Sequence, residues 1–199
     1  MRKRVAFLCL LALCLATILI QAVQAEPLIY TGASGFMLTL PADWMILIGD
    51  DEDDDDYYDY DYNYDEPEPG DIEALFASSD GAMAVTVLWA DETPVPSHAI
   101  DAVLSEPALE LRVGAVNGYQ KQFYRYDAAD RRAYISYNLV DTEDATPQVE
   151  FLVGFITGSD IAQFLMITVR ADQLDARFSL ISEIVMSIDV GGVREGAEG

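Results

Sequence analysis

Positive charge is the scarcest property of this sequence. Its 199 residues hold 11 Lys and Arg against 35 Asp and Glu, a formal net charge of −24. A general nucleic-acid binder is excluded on that ground, because phosphate contacts need clustered Lys and Arg. Cysteine is confined to Cys9 and Cys14, and histidine to His98. Solenoid-type repeats are absent from the sequence. What is present is a 51% hydrophobic, 11% aromatic chain, too apolar for wholesale disorder and about one domain long.

Arg2, Lys3 and Arg4 precede an apolar run from Val5 to Ile20, and Val23-Gln24-Ala25 supplies a cleavage site. Residues 1–25 therefore read as a secretory signal peptide, with a retained anchor as the alternative. The run is short for a spanning helix, which needs about 20 apolar residues. Leu11-Ala12-Leu13-Cys14 has the outline of a lipobox, but Leu13 is larger than the small residue expected before a lipidated cysteine. Cleavage after Ala25 leaves 174 residues without cysteine. The mature chain then has no disulfide, thiol nucleophile or thiolate metal site. Its length suffices to bury a core without crosslinks. The expectation is a secreted, extracytoplasmic protein with no membrane span after cleavage. Eight basic residues against 35 acidic ones give the mature chain a charge of −27, which favours cations or basic partners.

The acidity is concentrated. Residues 50–71 read DDEDDDDYYDYDYNYDEPEPGD, with 13 carboxylates, 5 tyrosines and no Lys or Arg. This composition builds no core, and like charges extend the chain. A flexible, solvated insert is predicted. Within it, Asp59, Asp61 and Asn63, followed by Asp65, have the alternate spacing of a calcium loop, and hard cations want several such oxygens. Tyr64 stands where the turn glycine belongs and Gly70 where the bidentate Glu belongs, so the segment is not an EF-hand. It is either a weak binder of several calcium ions or a solubilising loop. The alternating tyrosines offer a contact to a basic or aromatic partner.

The rest reads as hairpins and two helical regions. Strands are predicted at Leu28–Tyr30, Phe36–Leu40, Met45–Ile48, Ile72–Ser78 and Ala82–Trp89, with Asp80-Gly81 as a hairpin turn. Met83, Val85, Val87 and Trp89 fall on one face. Ser97 can cap a helix to Leu109 or Leu111, with Pro107 ending or kinking it. Asn117-Gly118 marks a turn. Tyr119–Tyr126 pairs with Ala133–Val140, and Val149–Thr157 with Ile161–Val169. Leu174, Phe178, Ile181, Val185 and Ile188 recur with helical period after Asp172. The tail 191–199 is Gly- and charge-rich and predicted to be flexible. The fold class expected is α+β, an antiparallel sheet flanked by helices, in one domain over 26–190 that carries the insert 50–71. Strands apolar on both faces, such as the one holding Phe151 to Ile156, require a layer on each side.

Gly35-Phe36 opens a strand ending in Leu40-Pro41, with Trp44 three residues on. A hairpin, a helix, further hairpins and a final helix ending Val185-Met186-Ser187-Ile188 follow. This order resembles the PsbP/Mog-like α/β/α sandwich superfamily and related secreted bacterial domains. The resemblance implies a non-enzymatic binding or accessory domain. Photosynthetic members assist a calcium- and manganese-dependent complex and others bind a small GTPase. Neither role maps onto residues here, and the acidic insert departs from the family pattern.

Catalytic signatures are missing from the sequence. There is no G-x-S-x-G elbow and no H-E-x-x-H. His98 stands alone at a predicted helix start, where Asp101 or a serine is its available partner, and reads as a surface residue. Gly32-Ala33-Ser34-Gly35 lacks the lysine of a phosphate loop and reads as a turn. Lys121, Arg125, Arg131 and Arg132 share a hairpin with Tyr119, Tyr124, Tyr126, Tyr134 and Tyr137. They offer an anion- or glycan-binding face, a docking site for the acidic insert, or an ordinary solvated hairpin. The leading expectation is a secreted or cell-envelope binding module without catalysis or cofactor, for a small ligand or basic protein. The alternatives are a low-affinity calcium-binding protein acting through Asp59, Asp61, Asn63 and Asp65, and a hydrolase whose carboxylates carry no signature.

Overall fold

The computed structural model describes residues 26–48, 71–113, 120–140 and 147–191. The leader 1–25, the calcium-spaced Asp59, Asp61, Asn63 and Asp65, the Asn117-Gly118 turn and the tail from 192 lie outside the described residues.

Nine strands are described: β1 (Leu28–Thr31), β2 (Met37–Leu40), β3 (Met45–Ile48), β4 (Ile72–Ala77), β5 (Met83–Leu88), β6 (Gln120–Asp127), β7 (Arg132–Val140), β8 (Pro147–Ile156) and β9 (Ala162–Arg170). The helices are α1 (Ile100–Val103), α2 (Glu106–Val113) and α3 (Leu174–Ser187). β3 to β9 form one seven-stranded sheet in the order β3-β4-β5-β9-β8-β7-β6, antiparallel at every pairing. β1 and β2 form a separate antiparallel pair. Two meanders, β3-β4-β5 and β6-β7-β8-β9, thus meet where β5 pairs with β9.

Alternation along each strand splits the core in two. Val149, Val153 and Phe155 of β8 face α3 and β2, packing with Phe36, Leu38, Ile181 and Ile184. Leu152 and Ile156 of the same strand face α1 and α2, packing with Ile100, Leu104 and Leu109. Each such fully buried side chain contributes about 1.5–3 kcal/mol by leaving water. The α+β sandwich expected from two-sided apolar strands is therefore present, with the β1–β2 pair lying beside α3 in one outer layer. Ser187 fixes that layer, its hydroxyl accepting the Thr39 N–H at 3.1 Å.

Two local expectations need correction. The helical region after Pro96 is not continuous. A 3₁₀ turn at Ser97–Ala99 leads into α1 with no side-chain cap from Ser97. The chain then breaks at Leu104-Ser105 and restarts as α2. Ser105 is the hinge: its carbonyl accepts the Leu109 N–H at 3.1 Å, and its hydroxyl the Ala108 N–H at 3.4 Å. Pro107 opens α2 instead of ending a helix, because a first-turn residue has no intrahelical N–H bond to lose. In α3, Ile181 and Ile184 are buried while Phe178 is 59% exposed, so the buried stripe is narrower than the sequence period suggests. Ile188 is buried but extended, just past the helix end.

Candidate functional site

Three strands of the large sheet terminate together beside the turn that leads into β2. β4 begins there at Ile72, β5 ends at Leu88 and β9 begins at Ala162. A cavity of about 200 Å³ opens at this place, with Ser34, Glu73, Trp89, Glu92 and Ile161 in its wall.

Glu73 is delivered by a β-bulge. β4 advances from Ile72 to Ala74 while its partner retreats only from Leu88 to Val87, which leaves Glu73 as the extra residue. A bulge re-aims the side chain it inserts. Glu73 Oε1 accepts the Tyr30 hydroxyl at 2.6 Å and the Ala33 N–H at 2.7 Å. Glu73 Oε2 is buried and has no hydrogen-bond partner among the described residues. A buried acceptor left unpaired costs about 1–3 kcal/mol, and more when charged.

The remaining wall is rigidly held. Gly32 and Gly35 close the turn, the Gly35 N–H donating to the Gly32 carbonyl at 2.9 Å. Gly35 has φ +84°, open to glycine. Ser34 Oγ donates to Gln163 Oε1 at 2.7 Å, and Gln163, fully buried, donates its Nε2 to the Leu88 carbonyl at 2.6 Å. Trp89 lies one residue past β5, half-buried, its backbone N–H on the Asp71 carbonyl at 2.7 Å. The Gly32–Gly35 segment is thus a turn before a strand, as expected, but one that builds a pocket wall. Sequence pattern alone does not single out Glu73, and it puts Trp89 on one strand face with Met83, Val85 and Val87, whereas Trp89 lies just past β5.

On the basic hairpin, read above as an anion- or glycan-binding face, a docking site or an ordinary solvated surface, each cation has an acidic or carbonyl neighbour. Lys121 bonds to Glu106 and to Glu110, and these hydrogen bonds, Glu106 first, push its ammonium pKa upward. Arg131 pairs with Asp160 at 3.0 Å and Arg125 with Asp127 at 3.8 Å. Arg132 donates to the Val185 and Ile188 carbonyls. The other three basic side chains among the described residues are also engaged: Arg170 with Asp172, Arg177 with Asp80, and Arg112 at 3.7 Å over the Phe164 ring. Tyr119 lies outside the described residues, and Tyr124, Tyr126 and Tyr137 are structural. Tyr124 donates to the Leu104 carbonyl at 2.8 Å and Tyr126 to Asp101 at 2.6 Å, tying the sheet to α1, while Tyr137 is buried.

That Tyr126 bond engages Oδ1 of Asp101, the partner considered for His98, which is itself exposed in the 3₁₀ turn. Among the described residues no group of three or more His, Cys, Asp or Glu could hold a metal ion. No helix among them is long and apolar enough to cross a membrane. A second concavity of about 550 Å³ lies between β6, β7, β8 and the start of α3, walled by Phe123, Phe151, Phe178, Gln122 and Asn138. It too is bulge-built: Gln122 is inserted between Lys121, opposite Tyr137, and Phe123, opposite Ser136.

No protein-family model matches the sequence, and no curated protein does. Among solved structures, the solution structure of cyanobacterial PsbP (CyanoP) from Synechocystis sp. PCC 6803 superposes with a TM-score of 0.50 at 12% identity, over 84% of this chain and 94% of that one. The chain has a PsbP-like fold. The Ran-binding protein Mog1p of Saccharomyces cerevisiae superposes with a TM-score of 0.40 at 13% identity, over 84% of this chain and 97% of that one. The PsbP-like sheet and its covering helices match the α/β/α resemblance read from the Gly35-to-Trp44 segment and the order of elements.

Proposed function

We propose that this chain is an extracytoplasmic, non-catalytic binding module whose ligand site is the pocket walled by Glu73 and Trp89. The carrying observation is the buried Glu73 Oε2, unpartnered among the described residues, in the wall of a concave site. Folded chains leave few buried polar atoms unsatisfied, and each that remains calls for a physical reason, such as a bound water, ion or ligand. Bulge, glycine turn and buried Gln163 together hold that wall before any ligand arrives, which favours binding. The basic, apolar and small-residue pattern of residues 1–25 supports export. Screening a chemically mixed fragment panel by Trp89 emission and ¹⁵N chemical shifts tests the site. Saturable shifts confined to Ser34, Glu73, Trp89 and Glu92 are expected, and a silent pocket would remove the reading. Assays against generic ester, phosphate and glycoside substrates should give no turnover.

A second reading rests on a separate observation, the 13 carboxylates within residues 50–71. There Asp59, Asp61, Asn63 and Asp65 bind calcium weakly, and the folded domain serves as the platform that carries the segment.

A further inference from the structure

We infer that the Glu73 pocket takes a primary ammonium group, presented by a small amine or by a lysine side chain of a partner. The inference rests on the pocket being a ligand site and adds the chemistry it selects. Glu73 Oε1 already accepts two hydrogen bonds, from Tyr30 and Ala33, so the buried Oε2 is the oxygen left without a partner among the described residues. A guanidinium fork matches a carboxylate best through both oxygens, whereas an ammonium is a point donor that one oxygen satisfies. Trp89 stands in the same wall, and an indole is the best aromatic partner for a cation. Glu92 adds a second carboxylate, and neither Lys nor Arg lines the pocket.

The chain supplies no internal counter-ion from the described residues. Its seven basic side chains there are engaged with other groups, from Lys121 on Glu106 and Glu110 to Arg177 on Asp80. A cation that faces Glu73 would then come from outside them. A hard divalent ion is a poor fit, because it wants six to eight oxygens and the pocket offers few beyond Glu73 and Glu92.

The test titrates the full mature chain with n-butylammonium, butylguanidinium, n-butanol and butyrate, read by Trp89 emission and calorimetry. Trp89→Phe identifies the reporting indole, since Trp44 is the other tryptophan. Butylammonium should bind saturably and at least tenfold more tightly than the other three. Glu73→Gln, which keeps an acceptor for Tyr30 and Ala33, should weaken it at least tenfold, and Glu92→Gln about threefold. A neutral peptide with one central lysine separates the two sources: tighter binding than butylammonium assigns the site to a protein partner, weaker binding to a free amine. Equal affinity for n-butanol, or ammonium binding indifferent to both Glu73→Gln and Glu92→Gln, overturns the inference. Binding of butanol or butyrate without butylammonium leaves the pocket a ligand site and removes only the cation. Silence towards these probes and the fragment panel removes both.

Discussion

Arg132, the first residue of β7, donates its Nη2 to the carbonyl of Ile188 at 2.7 Å and its Nη1 to that of Val185 at 3.3 Å. These carbonyls belong to the last turn of α3 and the residue after it, where helical partners run out. A cation there also complements the negative end of the helix. One side chain thereby fastens the terminal helix to the far half of the sheet.

Arg132→Ala should destabilise the protein by about 1.5–3 kcal/mol, the worth of hydrogen bonds to a charged group. Arg132→Lys should recover only part of this, because an ammonium cannot reproduce the planar fork that serves two carbonyls. Urea denaturation of the three proteins measures it. An alanine variant within 0.5 kcal/mol of the parent, on the order of a surface substitution, would show that the Arg132 bonds do not hold α3.

Gly32→Ala should be costly for a different reason. A Cβ at Gly32 would lie 2.0 Å from Phe36 Cε1, and Phe36 is fully buried, 5.2 Å from the Phe155 ring centroid. The ring has no room to withdraw, so the turn must move. Overpacking of this kind costs about 1–3 kcal/mol. The same displacement would pull the Ala33 N–H off Glu73. Thermal denaturation should show the loss, and ¹⁵N shifts should show it spreading to Glu73 and Trp89. A variant as stable as the parent would mean that the turn is pliable.

Hairpins, the two-sided core and the terminal helix were legible because each repeats a period along one segment. Met83, Val85 and Val87 show their common face without reference to any partner. Glu73 was not legible. Between Ile72 and Ala74 it looks like the outward polar residue of an ordinary strand, and a bulge exists only in the count of residues on the strand opposite. Gln122 escaped for the same reason. The basic hairpin stayed open to three readings for a related reason. Lys121, Arg125, Arg131 and Arg132 are close in sequence, but only Arg125 has a near partner, Asp127, while Glu106, Glu110, Asp160 and Ile188 come from three distant segments. Pro107 was ambiguous because one residue type both ends helices and opens them.

Tyr126 should respond to alkali. Its hydroxyl donates to Asp101, and that bond, aided by burial, pushes its pKa from an ordinary 10.0 up to about 12. A group whose pKa is raised on folding binds its proton more tightly in the folded state. Its stabilising contribution is fully present below pH 10 and is lost as pH rises through about 12. Melting temperature followed from pH 9 to 12 should therefore fall more steeply for the parent than for Tyr126→Phe. Parallel curves would show that the Asp101 bond does not persist in solution.

Replacing Asp51 to Glu68 by a short Gly/Ser linker should leave the fold at least as stable at low salt. The exchange removes like charges, and loop-closure entropy changes slowly with length. The same variant decides the calcium reading. The 13 carboxylates of residues 50–71 include the Asp59, Asp61, Asn63 and Asp65 spacing, yet the glycine turn and bidentate Glu of a tight site are missing. Such a segment must order itself around each ion, so its affinity should lie near that of extracellular modules, about 10⁻⁴–10⁻³ M. Calorimetric titration should give calcium heats at several ions for the parent and none for the linker variant. Equal heats for both, or an effect reproduced by matched ionic strength, would reduce the segment to a charged spacer and leave function with the Glu73 pocket.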